Sequence, residues 1–228
     1  NFKNFPDAIF FFFSFVPDLT SLIGKMITFV PLIVVFALIM SLLLNLNIKG
    51  KGIFRTIFFM PNLIGGVVLG YIWWMFFDAM LEGYNTYLTA SATYGFWGLV
   101  ILVAWQQIGY MMIIYIAGLQ AVPGDMLEAA KIDGATGWQT LTRVIIPNVM
   151  PSITICTFLT LTSAFKQFDV NLSLTNGTGS VADFLGQYLT NGTQMLALNI
   201  YNTAVVENEY AFGQAKAFLF FIILACVS

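Results

Sequence analysis

Histidine is absent from this chain of 228 residues, and only 9% of its residues are charged. The chain therefore lacks the commonest general base and metal ligand of proteins. Its two cysteines, Cys156 and Cys226, fall within apolar stretches without a second thiol nearby in sequence, which is typical of small buried side chains. Soluble domains carry about a quarter charged residues. The low charge and the 59% hydrophobic content together predict a polytopic membrane protein.

Basic residues are also scarce, since the net charge is −2 and the densest basic group is Lys49, Lys51 and Arg55. This pattern argues against nucleic-acid binding. No glycine loop ending in Gly-Lys-Ser or Gly-Lys-Thr is present, so ATP chemistry is not expected on this chain. The apolar runs also lack the paired acids or cysteine-histidine sets that an intramembrane enzyme needs. We predict no catalytic residue, no metal site and no bound cofactor.

Long apolar runs predict about five membrane spans, at residues 27–46, 57–77, 96–119 and 149–168 and from about Phe212 onward. They predict an all-α, polytopic transmembrane helical bundle forming one domain, 1–228. The basic group after the first run places that loop in the cytoplasm. By alternation, residues 78–94 and 171–211 are extracytoplasmic. The aromatic run at 8–16 is too short to span, and residues 183–198 are a candidate re-entrant helix.

Three local features carry further expectations. Gly65, Gly66 and Gly70 in the second span allow close helix packing. Lys216 in the last span is expected to extend toward the membrane interface. The chain starts without methionine and stops inside an apolar run, so we expect it to be part of a longer protein.

A polar stretch at about 122–148 separates the third and fourth runs and is expected to form two short helices. Asp125 is positioned to cap the first helix, which Gly134 would end. The second helix has an apolar face and would end at Pro147. Its apolar face consists of Trp138, Leu141, Val144 and Ile145.

The same stretch resembles the EAA loop of ABC importer permeases. The likeness consists of Glu128, Ala129 and Ala130, then Gly134 after three intervening residues, and Pro147 after an aliphatic run. The resemblance implies a cytoplasmic coupling helix that docks into an ATPase subunit. By position, the coupling residues are Glu128, Ala129, Ala130, Asp133 and Gly134. An ordinary loop helix between spans is the alternative interpretation.

Two further segments resemble carbohydrate-importer permeases of the maltose and glycerol-3-phosphate class. They are Arg55 to Pro61 and the Phe168-Asp169 segment that ends at Gly177, where Thr178 replaces a usual glycine. The resemblance implies the type I ABC importer permease fold in a bacterial cytoplasmic (inner) membrane. It also implies a second homologous permease subunit, two ATPase subunits that bind ATP and magnesium, and an extracytoplasmic solute-binding protein.

Polar side chains in the third and fourth spans form the candidate substrate path. Amides are costly in hydrocarbon without partners, so these residues either hydrogen-bond between helices or line a water-filled sugar path. The resemblance places them in the translocation cavity. They are Gln106, Gln107, Tyr110, Thr160, Ser163 and Gln167. Lys166 and Asp169 either pair with each other or contact the substrate.

These features predict a permease subunit of a binding-protein-dependent ABC importer that moves a sugar or oligosaccharide into the cell. The alternatives are an importer permease for a polyamine or phosphate ester and, from another class, an ion-coupled secondary transporter. Secondary transporters usually bury acids at mid-membrane. Here the acids cluster in loops, with only Asp169 near the end of a span.

Overall fold

The computed structural model describes residues 29–46, 49–175, 177 and 195–227, which form helices and no β-strand. The all-α prediction is confirmed. The run at 8–16 and residues 183–194 of the candidate re-entrant helix lie outside the described residues. The α-helices are α1 (Phe29–Asn45), α2 (Lys51–Leu63), α3 (Gly66–Glu82), α4 (Ala92–Gln120), α5 (Gly124–Ile132), α6 (Gly137–Thr140), α7 (Ile146–Phe165), α8 (Asp169–Leu174), α9 (Leu196–Tyr201) and α10 (Tyr210–Val227).

Two helices of the described chain are long and apolar enough to cross a membrane. They cover Thr93–Gln120, with 28 residues, and Gly137–Phe165, with 29 residues. The α2 and α3 pair counts as a third span if it is taken together. The first and last predicted spans correspond to shorter apolar helices, Phe29–Asn45 and Tyr210–Ala225. About 20 apolar residues are needed to cross the hydrocarbon, so the two long helices exceed that length.

The second predicted span is wrong in one respect, because the helix is interrupted at Ile64 and Gly65. Gly65 has an extended backbone, with φ −58° and ψ 134°. Glycine is among the poorest helix formers, and Pro61 has already removed one backbone donor from α2. Two adjacent glycines after a proline therefore separate α2 from α3.

The described residues group into two compact units. Unit 1 contains residues 64–103 and 162–227 together with Phe29. Unit 2 contains residues 30–63 and 104–161. The helices α4 and α7 each contribute one part to unit 1 and one part to unit 2.

Unit 2 is built around buried side chains of α1 and α4. Leu44, Met112 and Ile116 form its core, and Met40 and Phe58 pack against them. Gly109 lies so close to α2 that an added Cβ would overlap the carbonyl oxygen of Phe58. The guanidinium of Arg55 donates to the carbonyl of Leu44 at 3.3 Å. A cation therefore satisfies a carbonyl in the last turn of α1, where the helix dipole is negative.

In unit 1, α8 packs against α3. Cβ atoms added at Gly66 and Gly70 would overlap Asp169 and Ser173 respectively. The expected close packing is thus confirmed for these two glycines, whereas Gly65 has no neighbour within 4 Å of an added Cβ. The Ser173 hydroxyl donates to the Asp169 carbonyl at 2.8 Å, so the buried polar group on this interface is satisfied.

The expectation for Lys216 is wrong. Its side chain is only 8% exposed, and its ammonium donates to Asn199 Oδ1 at 2.8 Å and to Thr203 Oγ1 at 2.9 Å. Extension to the interface is needed only where a buried cation lacks local acceptors. Two acceptors within the same unit bind the ammonium here.

Candidate functional site

The polar stretch after α4 begins with the short helix α5, as predicted, but its second helical part is the start of a longer helix that continues to Phe165. Glu128 and Ala129 lie on the exposed side of α5, while Ala130 is buried. This helix packs against the turn at Leu141–Ile145. Because Ala130 has almost no side chain, the backbone of α5 can approach its neighbour closely while Glu128 remains accessible.

The predicted cap at Asp125 is wrong. The residue preceding α5 is Pro123, which makes no side-chain capping bond, and Asp125 lies one residue inside the helix. Proline fixes φ near the value that suits a helix entry, so α5 begins two residues before the expected position. Asp125 in the first turn and Lys131 in the last turn still complement the helix dipole.

Gly134 ends α5 as predicted, through a Schellman motif. Its φ is +73°, in the left-handed region that favours glycine. The Ala135 N–H donates to the Ala130 carbonyl at 3.0 Å, and the Gly134 N–H donates to the Lys131 carbonyl at 3.1 Å. These two bonds satisfy carbonyls that a helix end leaves open. They fix the direction in which the chain leaves the Glu128 helix.

The sequence analysis did not predict the capping box at the start of α6. The Thr136 hydroxyl accepts from the Gln139 N–H at 3.3 Å, and Gln139 Oε1 accepts from the Thr136 N–H at 2.8 Å. The signal was present, because threonine followed three residues later by glutamine is the sequence pattern of this motif. The turn between α5 and α6 is therefore fixed at both ends, by Gly134 and by Thr136.

Pro147 does not end the second helix, contrary to the prediction. A π-helical turn, Leu141–Ile145, connects α6 directly to α7, and Pro147 lies in the first turn of α7. Proline in a regular α-helix would clash with the carbonyl four residues earlier. The wider π turn lies at that position, and the N–H of Ile146 donates to Leu141 five residues back. The amphipathic stretch and the fourth span are consequently one continuous helix.

Large apolar side chains of this loop are unusually exposed. Ile132 at the end of α5 is 86% exposed, and Trp138 in α6 is 73% exposed. Both lie within a few residues of exposed charged groups, among them Asp133 and Glu128. Exposed aromatic and aliphatic side chains beside polar ones are characteristic of protein interaction surfaces. After its predicted role, we call this set (Glu128, Ile132, Asp133 and Trp138) the coupling face.

In unit 2, the candidate path residues of α4 share one helical face. Gln106 and Gln107 are half-buried, and Tyr110, one turn further on, is 39% exposed. Thr160 on α7 is 1% exposed, and its hydroxyl has no hydrogen-bond partner among the described residues.

Contacts between α4 and α7 within unit 2 relate Thr160 to this face. The Cys156 thiol donates to the Met111 carbonyl at 3.8 Å, and a Cβ added at Gly118 would overlap Ser152. Moving forward along α4 from Met111 to Gly118 thus corresponds to moving backward along α7 from Cys156 to Ser152, so the two helices run antiparallel. Gln107 lies one turn before Met111 on α4, and Thr160 lies one turn after Cys156 on α7. Thr160 is therefore level with Gln107.

In unit 1, the remaining path residues lie where α7 ends. Ser163 is half-buried in the last turn of α7, and Gln167 is half-buried in the break before α8. Lys166 and Asp169, on either side of Gln167, are both exposed and do not form an ion pair with each other. The sequence left open whether Lys166 and Asp169 pair with each other or contact the substrate, and the ion pair is not observed.

Comparisons with known proteins identify the family of the chain. Residues 33–228 match the family described as "Binding-protein-dependent transport system inner membrane component". The chain is 42% identical over 207 residues to the "Probable starch degradation products transport system permease protein AmyD" of Thermoanaerobacterium thermosulfurigenes, a match that covers 87% of this chain and 68% of the relative. It is 30% identical over 204 residues to the "Multiple sugar-binding transport system permease protein MsmF" of Streptococcus mutans, covering 86% of this chain and 67% of the relative.

A solved structure shares the fold. A chain of a bacterial alginate ABC transporter, in complex with an alginate pentasaccharide-bound periplasmic protein, aligns over 99% of this chain and 80% of its own length. The TM-score is 0.81 at 17% sequence identity, a likeness that concerns the fold alone. On the family match and the two sequence relatives, the chain belongs to the family of inner membrane components of binding-protein-dependent transport systems.

Proposed function

We propose that this chain is the permease subunit of a binding-protein-dependent ABC importer that carries a sugar or oligosaccharide across the inner membrane. The observation that carries the proposal is the 42% identity, over most of the chain, to a permease named for starch degradation products. A second relative, at 30% identity, is named for multiple sugars. The polar positions along α4 and α7 suit a cargo rich in hydroxyl groups, since amides and hydroxyls both donate and accept hydrogen bonds.

The coupling face is the proposed contact with an ATPase subunit. Leaving Ile132 in water is unfavourable, and so is leaving Trp138 there, because each large apolar side chain gains about 1.5–3 kcal/mol on burial. A groove on a partner that takes the α5 helix would bury both side chains and leave Glu128 at its edge. Closure of the ATPase would then move α5 as a rigid piece, since Gly134 and Thr136 fix the turn behind it.

ATP and magnesium are expected to bind to two ATPase subunits and not to this chain. The sequence contains no phosphate-binding loop. In this proposal the chain contributes movement and a path, and it carries no catalytic residue. A second, homologous permease subunit completes the membrane part, and an extracytoplasmic solute-binding protein delivers the cargo.

The proposed substrate path contains Gln106, Gln107 and Tyr110 from α4. Tyr110 is 39% exposed and both glutamines are half-buried, so part of each side chain remains accessible, which supports this role. Gln167 and Ser163 are proposed to contribute at the end of α7. Thr160 contributes only if its buried hydroxyl becomes accessible when α4 and α7 separate during alternating access.

An importer of the same family for a polyamine or phosphate ester is the second candidate. A phosphate ester would favour additional cations along the path, and Lys166 is the cation nearest to Gln167 in sequence. The ion-coupled secondary transporter is disfavoured, because neither α4 nor α7 contains an aspartate or glutamate.

The experiment that tests the proposal is a pull-down of the tagged full chain in mild detergent. The co-purifying proteins are identified, and ATPase activity is measured with and without binding proteins loaded with candidate oligosaccharides. We expect an ATPase and a second permease to co-purify, with ATP hydrolysis stimulated by one sugar-loaded binding protein. A chain that purifies alone and transports its cargo with sodium or protons would overturn the proposal. Stimulation only by a polyamine- or phosphate-loaded binding protein would select the second candidate.

A further inference from the structure

Lys216 is a buried cation in the last apolar helix that the proposed transport function does not use. Its ammonium donates to Asn199 Oδ1 at 2.8 Å and to Thr203 Oγ1 at 2.9 Å, and it lies 5.1 Å from the ring centre of Phe212. A buried lysine is costly in a membrane protein unless such partners are present. These contacts join α10 to the segment that precedes it, which consists of α9 and the π-helical turn Asn202–Val206.

The two acceptors are four residues apart, so they face α10 from the same side of this segment. Close packing accompanies the hydrogen bonds. A Cβ added at Gly213 would lie 2.6 Å from the Cβ of Ala204. Lys216 and Gly213, three residues apart on α10, thus contact neighbouring positions of the same segment. The ammonium supplies the polar part of this contact and Gly213 supplies the close approach.

The same segment also contacts the break between α7 and α8. The ring of Tyr201 packs edge-on against Phe168, with ring centres 5.3 Å apart. The Met195 N–H donates to Asn171 Oδ1 at 2.9 Å, and Asn171 is fully buried in α8. Asn202 donates to the Gly177 carbonyl at 3.1 Å. Residues 195–206 therefore connect Lys216 on one side to Phe168 and to the residues that follow it on the other.

Phe168 directly follows Gln167, the candidate path residue in the break. We propose that Lys216 is a positioning residue: by holding α9 against α10, it fixes through Tyr201 and Phe168 the position of Gln167. The assignment of Gln167 to the substrate path rests on the proposed function. The mechanical link from Lys216 to the break depends only on the contacts of unit 1.

The experiment measures the break directly, without transport. In the full transporter, with Cys156 and Cys226 replaced by alanine, a Gln167→Cys variant is reacted with a membrane-impermeant thiol reagent. Its labelling rate is compared with and without Lys216→Met, which keeps the length of the side chain and removes its donors. Interhelical hydrogen bonds in membranes are each worth a factor of about three. Loss of two such bonds predicts a change in labelling rate of about tenfold.

Thr203→Val is the second variant, because valine keeps the shape of threonine and removes one acceptor. We expect a labelling change of about threefold, in the same direction, on the same reasoning. Combined with Lys216→Met, it should add little, since both changes break the same contact. Gln214→Met is the matched control, because Gln214 is exposed on the same helix, and it should leave the labelling rate unchanged.

An unchanged labelling rate in Lys216→Met would overturn the positioning role, and so would effects of Lys216→Met and Thr203→Val that simply multiply. If Lys216→Met prevents assembly of the transporter, the labelling rate in Thr203→Val tests the positioning role instead, and an unchanged rate there would overturn it. Uptake assays report separately on the path. If Gln167→Ala transports normally while Lys216→Met alters labelling, the link stands and the assignment of Gln167 to the path is wrong.

Discussion

Gln139 Oε1 accepts a hydrogen bond from the Thr136 N–H at 2.8 Å, and the Thr136 hydroxyl accepts one from the Gln139 N–H at 3.3 Å. This reciprocal pair sits four residues after Ile132, at the end of the turn that follows α5. It satisfies two backbone donors at the start of a helix that continues to Phe165. The pair therefore joins the coupling face to a membrane span through a turn with little freedom.

Thr136→Ala should loosen this turn. Loss of an N-cap hydroxyl costs about 1 kcal/mol, and we expect the first turn of α6 to open about five times more often. Hydrogen exchange of residues 134–140, followed by mass spectrometry, measures that change. Thr142→Ala is the control, because its hydroxyl only bonds back to the Trp138 carbonyl within the helix. Equal exchange in the two variants would show that the cap does not order the turn.

Glu128→Lys should weaken docking of the ATPase or separate ATP hydrolysis from uptake, while the chain still inserts into the membrane. The side chain is exposed, so reversing its charge removes nothing from the core of unit 2. The measurements are recovery of the ATPase with the tagged chain and the ATP hydrolysed per sugar taken up. Glu207→Lys makes the same charge reversal at an exposed residue of the predicted extracytoplasmic segment, and both values should stay normal. Unchanged recovery and unchanged uptake in Glu128→Lys would refute the coupling role.

Ile132→Asn separates stability of the chain from assembly. At 86% exposure the side chain contributes little to folding, so the free energy of unfolding should change by less than about 0.5 kcal/mol. Loss of an apolar contact at an interface costs more than about 1.4 kcal/mol where the residue is a hot spot, a tenfold loss of affinity. Titration of the ATPase against the purified chain measures the affinity. Val206→Asn, another exposed aliphatic position, should leave it unchanged. Equal affinities would mean that Ile132 lies outside the interface.

The fold was largely readable from hydrophobic run length, because about 20 apolar residues in a row have few alternatives to a membrane helix. The predicted run at 96–119 corresponds closely to α4. The errors in the predicted spans lie where local backbone chemistry decides whether a helix ends or continues. The length of an apolar run does not show that two glycines after Pro61 separate α2 from α3. Nor does it show that a π turn lets the helix continue through Pro147.

The coupling loop was predictable because its signals are local. The Gly134 stop follows from the conformational freedom of glycine, and the capping box was readable although it was missed. The environment of Lys216 was not predictable in this way. Its acceptors lie 13 and 17 residues earlier in the chain, and only the packing of α9 on α10 brings them to the ammonium. For the same reason, sequence periodicity placed Thr160 on a polar face without indicating its burial.

Gly109→Ala tests the packing of unit 2. The added Cβ would overlap the carbonyl oxygen of Phe58, which belongs to the backbone and has little room to move. Overpacking of this kind costs about 1–3 kcal/mol, so the thermal unfolding temperature of the solubilised chain should fall. Gly65→Ala adds the same methyl group where nothing lies within 4 Å, and it should have no such effect. Equal unfolding temperatures in the two variants would contradict the close approach of α4 and α2.

Tyr110→Ala and Gln167→Ala test the substrate path in the two units separately. Each removes a group that can hydrogen-bond a sugar hydroxyl, and one such bond is worth about 1.4 kcal/mol, or about a tenfold change in uptake at low substrate concentration. Recovery of the ATPase should stay normal, because both residues lie outside the coupling face. Gln120→Ala is the matched control, because Gln120 is an exposed glutamine at the C-terminal end of α4, and it should not reduce uptake. If Tyr110→Ala alone is impaired, the path runs along α4 and Gln167 serves packing. If uptake survives both changes, the polar faces of α4 and α7 bind neighbouring helices and the cargo passes elsewhere.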